Sequence, residues 1–310
     1  MKIYVCVKHV PDSAANIVLH DERNIEENIT FLMNPYDEYA VTEAVSLKKS
    51  LKQGEVIAVC LGKKDAEKTL RSAMAMGADR GILIETDQLW DSITTARALK
   101  SAIEDDGTPG IIFTGRESID MAGMQTMFRL GALFDFPAAN NVVKFTPDFT
   151  QASSNVAHAS TDTRHLPSNA AQASTDTRHL PSNAAHASTD TRHLPSDAVH
   201  AYPFSRVIVE TLTEASGRDI YQLSIPCVLG AGRGLNTPSY PTFPDVVKSK
   251  KKPLKILDME SLNFERPQCS TRILGLELFA QKREPREIKG DLSTKVDTLV
   301  KILKDEAKIL

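Results

Sequence analysis

The chain has 310 residues, 41% of them apolar, enough for one large domain or two modest ones around a sizeable buried core. Its formal charge of −3 is spread over interleaved acidic and basic residues, which argues against nucleic acid or an anionic membrane as a partner; the one basic run is Lys248, Lys250, Lys251 and Lys252. No apolar stretch reaches the roughly 18 residues of a membrane span and the start runs directly into a strand pattern, so the expectation is a cytoplasmic protein that is not membrane-inserted.

The first half alternates short apolar runs with helical spacing. Ile3 to Val7 reads as a buried strand, and 37–51 carries Ala40, Val41, Ala44, Val45 and Leu47 at the spacing of a helix face. The alternation continues with a strand at 56–61, a helix at 65–76 closed by Gly77, a strand at 81–84, a helix at 92–103, a strand at 111–114 and a helix running to Leu133. Strands that are almost wholly apolar and separated by helices of this length predict an α/β fold, with a parallel sheet covered on both faces. Four cysteines, Cys6, Cys60, Cys227 and Cys269, lie far apart, which fits reduced core residues better than a disulfide framework or a metal site.

The middle changes character. The unit Thr-Asp-Thr-Arg-His-Leu-Pro begins at Thr161, Thr175 and Thr189, a period of 14 in a background of Ala, Ser, Asn and His. With one leucine per unit it cannot bury enough surface to order the chain, so 152–200 reads as a largely disordered insertion. It holds six of the eight histidines, none with a second ligand at a fixed spacing, which gives no metal site. The insertion separates Val142 to Phe145 from Phe204 to Glu210, two runs that read as neighbouring strands of a hairpin. Beyond them come a strand at 225–230, a Gly- and Pro-rich stretch, an arm over 258–289 expected to run over a surface, and a closing helix at 293–307 with Val296, Leu299, Val300 and Leu303 on one stripe.

Ligands of an open parallel sheet bind beyond the carboxyl ends of its strands. Of the loops at those ends, the sharpest signal is 115–126: Gly115, Arg116, Glu117, Ser118, Ile119, Asp120, Met121, Ala122, Gly123, Met124, Gln125 and Thr126. Gly115 reads as the tight turn and Gly123 as the point of close approach, and Gln125 and Thr126 open a helix whose first N–H groups favour phosphate. An ordinary strand-to-helix turn would have the same composition, since this is neither a Walker motif nor GxGxxG. No Ser-His-Asp arrangement, HExxH helix or paired carboxylates stand out, which favours a carrier over an independent catalyst.

Several segments carry a family resemblance in order along the chain: Val7 to Asp12, Met33 to Ala40, Ala73 to Gly81, the loop 115–126, and Asn236 to Pro244 followed by the lysine run. Together they resemble the β subunit of electron-transfer flavoproteins. The resemblance implies an adenine nucleotide α-hydrolase-like (Rossmann-like) fold with a β-hairpin insertion and an extended C-terminal arm ending in a helix. It implies a heterodimer with an α subunit that shares an FAD, carrying electrons from acyl-CoA or related dehydrogenases of fatty-acid β-oxidation to a membrane ETF-quinone oxidoreductase. The β pocket holds AMP, or a second FAD that accepts hydride from NADH in flavin-bifurcating members.

Carried onto this chain, the nucleotide pocket comprises Cys6, Asn34, Pro35, Tyr36, Asp37, Ala58, Leu61 and the loop from Gly115 to Thr126, with Gln125 and Thr126 at the phosphate. Packing accounts equally well for Cys6, Ala58 and Leu61; Asn34 is better placed, since an amide that can cap the following helix can also meet ribose or base. Gln125-Thr126 matches AMP-binding members, whereas Val10-Pro11-Asp12 and the longer tail match bifurcating ones; AMP is the expectation and FAD stays open. An Arg-Glu pair common in relatives is replaced near Thr211 to Glu214. Phe243, flanked by Thr242 and Pro244, takes the place of the family's dehydrogenase anchor, with Lys248 and Lys251 steering acidic partners. The implied division is a nucleotide-binding domain over 1–151 and 201–250, the repeat insertion over 152–200, and an arm over 251–310 packing on the α subunit. A nucleotide-binding stress or sensor module of similar fold is the competing class.

Overall fold

The structure is a computed structural model and describes residues 1–22, 24–149, 202–213, 217–265, 274–277 and 286–309. The repeat segment read as disordered, and Cys269, lie outside the described residues. Two compact units emerge, one of 1–17 and 27–272, the other of 18–26 and 273–310.

The first unit follows the predicted alternation. In chain order it contains β1 (Lys2–Cys6), β2 (His9–Pro11), β3 (Phe31–Met33), α1 (Pro35–Leu51), β4 (Glu55–Gly62), α2 (Glu67–Met76), β5 (Arg80–Glu85), α3 (Ser92–Asp106), β6 (Pro109–Gly115) and α4 (Thr126–Phe134). Then come β7 (Ala138–Asp148), β8 (Arg206–Leu212), β9 (Arg218–Ser224), β10 (Cys227–Ala231), α5 (Phe243–Ser249) and β11 (Leu254–Asp258). Among the described residues nine strands form one sheet in the order β11-β5-β4-β1-β6-β10-β7-β8-β9, parallel through β7 and antiparallel across β7, β8 and β9.

The apolar runs are buried on both faces because side chains alternate across the sheet. Ile3, Val5, Val56, Ala58, Cys60, Ile111 and Phe113 face one core with α1 and α2 residues; Tyr4, Cys6, Ile57, Val59, Ile82 and Ile112 face the other, with α3 and α4. Helix ends follow local chemistry. Asp91 caps α3 by accepting from Thr94 N at 2.9 Å, Gly77 ends α2 at φ 130°, and the Lys252 ammonium donates to the Met74 and Ala78 carbonyls at 2.8 and 2.7 Å. Cys6, Cys60 and Cys227 are buried and free.

The hairpin predicted on either side of the repeats is present, Asp148 pairing with Arg206. β7 kinks at Asn141, which adopts φ 55°, and its register shifts between Val142 and Lys144. The kink sends the hairpin tip toward the amino end of the sheet, where the Tyr202 hydroxyl donates to Pro109 O at 3.0 Å.

Four strands lacked a sequence signal. β2 and β3 form a separate antiparallel pair of three residues each, and β9 and β11 are the edges of the main sheet. β11 pairs with β5 from Leu254 to Asp258, and Met259 and Leu262 are buried in the core beyond it. The segment read as the start of a surface arm thus completes the sheet through Asp258 and packs into its core through Leu262. The second unit holds α6 (Leu292–Lys301), capped by Asp291 and continuing as a wider turn over Ile302–Glu306; Leu292, Val296, Leu299 and Val300 are exposed along it. Among the described residues no helix is long and apolar enough to cross a membrane.

Candidate functional site

The chain leaves β1 toward β4 and β5 on one side, while β6 lies on the other, so the sheet's switch point falls between β1 and β6. At such a point the following loops diverge and leave a crevice. Here the segments are Val7 to Pro11, which follows β1 and includes β2, and the loop 115–126 after β6.

Two buried polar side chains sit under this crevice, Asn34 at 1% and Asp37 at 4% exposure. Pro35 opens α1 and places Asp37 in its first turn. One Asp37 oxygen accepts from Lys8 N at 2.7 Å; the other accepts from Gly115 N at 3.0 Å and Asn34 Nδ2 at 2.9 Å. Asn34 Nδ2 also donates to Glu117 O at 2.8 Å, and its Oδ1 accepts from Ile119 N at 3.2 Å. Asn34 therefore does not cap α1 through its side chain. Burial pushes the Asp37 carboxyl up to about 7, against the pull of the hydrogen bonds from Asn34, Lys8 and Gly115.

Gly115 is the tight spot. A Cβ there would lie 2.3 Å from Asp37 Oδ1 and 2.8 Å from Tyr36 Cβ, whereas one on Gly123 would meet nothing within 4 Å. The two glycine roles read from sequence are thus corrected: close approach belongs to Gly115, and the left-handed backbone of the loop is carried by Ala122 at φ 47° and Met124 at φ 49°.

Above the crevice, Lys8 Nζ pairs with Asp120 at 2.6 Å and reaches Ser118 Oγ at 3.4 Å. Ala122 N donates to Ser118 O at 2.8 Å, which closes the loop on itself. At the start of α4 the Gln125 side-chain oxygen accepts from Arg129 at 2.8 Å and from the Ser92 hydroxyl at 3.2 Å, so the first turns of α3 and α4 lie side by side. Thr126 is the first residue of α4 and is half-buried. Arg116 lies 5.5 Å from the Tyr36 ring centre and pairs with Glu117 at 3.0 Å; its Nε is buried without a hydrogen-bond partner among the described residues.

Not every sequence-predicted residue reaches the crevice. Ala58 is mid-strand, paired with Val5 on one side and Gly81 on the other, and is fully buried. Cys6 is buried at the end of β1, and burial pushes its thiol up. Leu61 is half-buried near the end of β4, Pro35 is exposed and Tyr36 half-buried. Lys8, Ser92 and Arg129 join the site without having been singled out. Lys8 was visible within the Val7 to Asp12 segment of the family resemblance, but nothing local to Ser92 or Arg129 marks them.

A second region gathers the residues read as a docking surface. Phe243 opens α5 at 80% exposure, near Tyr240 at 83%, and Lys248 and Lys251 are exposed. The Arg71 guanidinium holds this turn by donating to Ser249 O at 3.0 Å and Lys252 O at 2.8 Å. Two cavities of about 260 and about 310 Å³ border Ser239, Tyr240 and Pro241; neither is lined by the loop 115–126.

The family model described as the electron transfer flavoprotein domain matches residues 24–181. The chain is 28% identical over 312 residues to the mitochondrial electron transfer flavoprotein subunit beta of Arabidopsis thaliana, and 25% identical over 315 residues to the electron transfer flavoprotein subunit beta of Bacillus subtilis, each match covering 100% of both chains. It is also 39% identical over 129 residues to Protein FixA of Azorhizobium caulinodans, covering 39% of this chain and 45% of that protein.

Proposed function

The chain belongs to the electron transfer flavoprotein β-subunit/FixA family, and from that membership we propose that it binds AMP at the crevice between β1 and β6 while pairing with an α subunit that carries FAD. The pair takes electrons from acyl-CoA-type dehydrogenases and delivers them to a membrane quinone oxidoreductase. Phe243 anchors the dehydrogenase, Lys248 and Lys251 attract its acidic surface, and the exposed stripe of α6 packs on the α subunit.

The observation that carries the nucleotide reading is the coincidence of three features at the switch point: a loop held from beneath, two helix starts side by side, and an arginine whose buried Nε lacks a partner among the described residues. These residues suit an anion. Asp120 is neutralised by Lys8, and the first N–H groups of α4, at Thr126 and beyond, have no partner within the helix. Gln125 and Thr126 take the phosphate, and Arg116 and Tyr36 flank the entry. AMP supplies no redox chemistry in this role; it fills and fixes the crevice.

The test is the nucleotide content of the purified heterodimer, released by denaturation and identified by mass. One FAD and one AMP per pair is the expected result. Two FAD per pair would replace AMP by the flavin-bifurcating alternative, which Val10-Pro11-Asp12 favours. A colourless homodimer carrying ATP would overturn the reading in favour of a sensor module.

A further inference from the structure

Asn34 and Asp37 have little left to offer a ligand. Both N–H bonds of the Asn34 amide are spent, on Asp37 and on Glu117 O, and its oxygen already accepts from Ile119 N. Asp37 accepts three bonds, and at 1% and 4% exposure neither side chain opens into the crevice. Their partners come from three separate stretches: the end of β1 at Lys8, the end of β6 at Gly115, and the loop backbone at Glu117 and Ile119. The two strand ends and the loop are therefore tied to the first turn of α1, and Gly115 must lack a side chain for the tie to close.

We propose that Asn34 and Asp37 are positioning residues, a buried clamp that holds the loop 115–126 in its binding shape without touching the nucleotide. Within the clamp the labour is divided: Asp37 joins the strand ends, and Asn34 fastens the loop to Asp37. The loop is consequently set before a ligand arrives, and the ordering of its backbone is not charged against binding. The proposal rests on the crevice being the nucleotide site, and its test separates the two ideas.

The experiment uses the αβ heterodimer, as purified and after its nucleotide is stripped, with residue-resolved amide hydrogen exchange and AMP rebinding as the readouts. Asn34→Ala removes the bonds to Asp37, Glu117 O and Ile119 N but leaves Lys8 and Gly115 on Asp37. It should speed exchange at Ile119 and along 117–124, leave the Lys8 and Gly115 amides protected, and weaken AMP rebinding about tenfold, the effect of losing the two hydrogen bonds that reach the loop. Asp37→Asn keeps an acceptor for Gly115 but turns an amide group toward Lys8 N, so exchange should rise first at Lys8. A merely structural role would loosen the whole sheet alike; this selective pattern would not follow from it.

A stripped parent whose loop stays protected supports the clamp. A stripped parent that exchanges as fast as Asn34→Ala would overturn it, as would an Asn34→Ala protein with a protected loop. If the parent neither carries nor binds AMP, the nucleotide reading fails alone, and the exchange pattern still decides whether the clamp holds the loop.

Discussion

The two ends of the parallel sheet each hold a carboxylate largely out of solvent, Asp37 buried and Asp106 half-buried, and they solve the problem in opposite ways. At the amino end Asp106 meets cations: Arg80 reaches it at 2.6 and 2.8 Å while binding Glu55 at 2.7 Å, Lys2 lies at 3.2 Å, and the Tyr4 hydroxyl donates at 2.8 Å. Burial there raises the Asp106 carboxyl, but the hydrogen bonds from Arg80, Tyr4 and Lys2 outweigh it and bring it to about 2. At the carboxyl end Asp37 meets neutral donors, two of them backbone N–H groups, and burial leaves it at about 7. Charge met by charge knits strands and a helix together and leaves nothing over. Charge met by backbone dipoles fixes the course of a loop, while the cations beside that loop find separate partners, Lys8 in Asp120 and Arg116 in Glu117.

The comparison breaks most forcefully at Arg80. Arg80→Met strands Glu55 and Asp106 without their shared cation and should cost about 3 kcal/mol in denaturant unfolding, at the low end for a buried pair because Arg80 is part-exposed. Nucleotide content per folded heterodimer should stay at the parent's value; a loss there would show that the two ends are coupled. At the other end, Gly115→Ala forces a Cβ toward Asp37 and should cost about 2 kcal/mol. In this variant AMP should be lost from protein that is still folded, as gel filtration and mass analysis would reveal.

Acidity sharpens the contrast by sign. Asp37 holds its proton more tightly folded than unfolded, so its contribution favours the folded state most at low pH and declines as pH rises from about 4 to about 7, by up to ~1.4 kcal/mol per unit. Asp106 runs the other way: its contribution is present above about 4 and is lost as pH falls toward about 2. Urea unfolding of Asp37→Asn beside the parent should show the parent's relative stability falling across pH 4 to 7; a gap that moves in the parent's favour instead would reverse the assignment. The smallest effect is expected for deletion of 152–198, which leaves from a hairpin tip near the amino end, away from the crevice. Unfolding should shift by less than about 0.5 kcal/mol, with electron transfer unchanged; loss of α-subunit binding would refute this.

What could be read in the sequence tracks how much each segment states locally. β1, β4, β5, β6 and β10 are legible because their consecutive central residues are buried on both faces, giving unbroken apolar runs. The edges β9 and β11 expose Ile220 and Ile256 among charged neighbours, and β2 and β3 are three residues long, too short for any period to show. The loop 115–126 was legible from its composition and its family likeness. The clamp beneath it was not, because Asp37 and Gly115 are 78 residues apart and Asn34 and Ile119 are 85 apart. Asn34 and Asp37 stand among the residues that the family likeness assigns to the pocket, and their side chains turn inward to the protein.

Asp148 and Arg206 face each other across the hairpin, so the stretch joining them departs from and returns to a single rung. Its 14-residue unit occupies a whole number of codons, and tandem copies are prone to slippage when a gene is replicated. Alleles that gain or drop a unit would keep their reading frame and change nothing in the strand register. Length variation among natural isolates, in steps of one unit, is the genetic signature this attachment point permits.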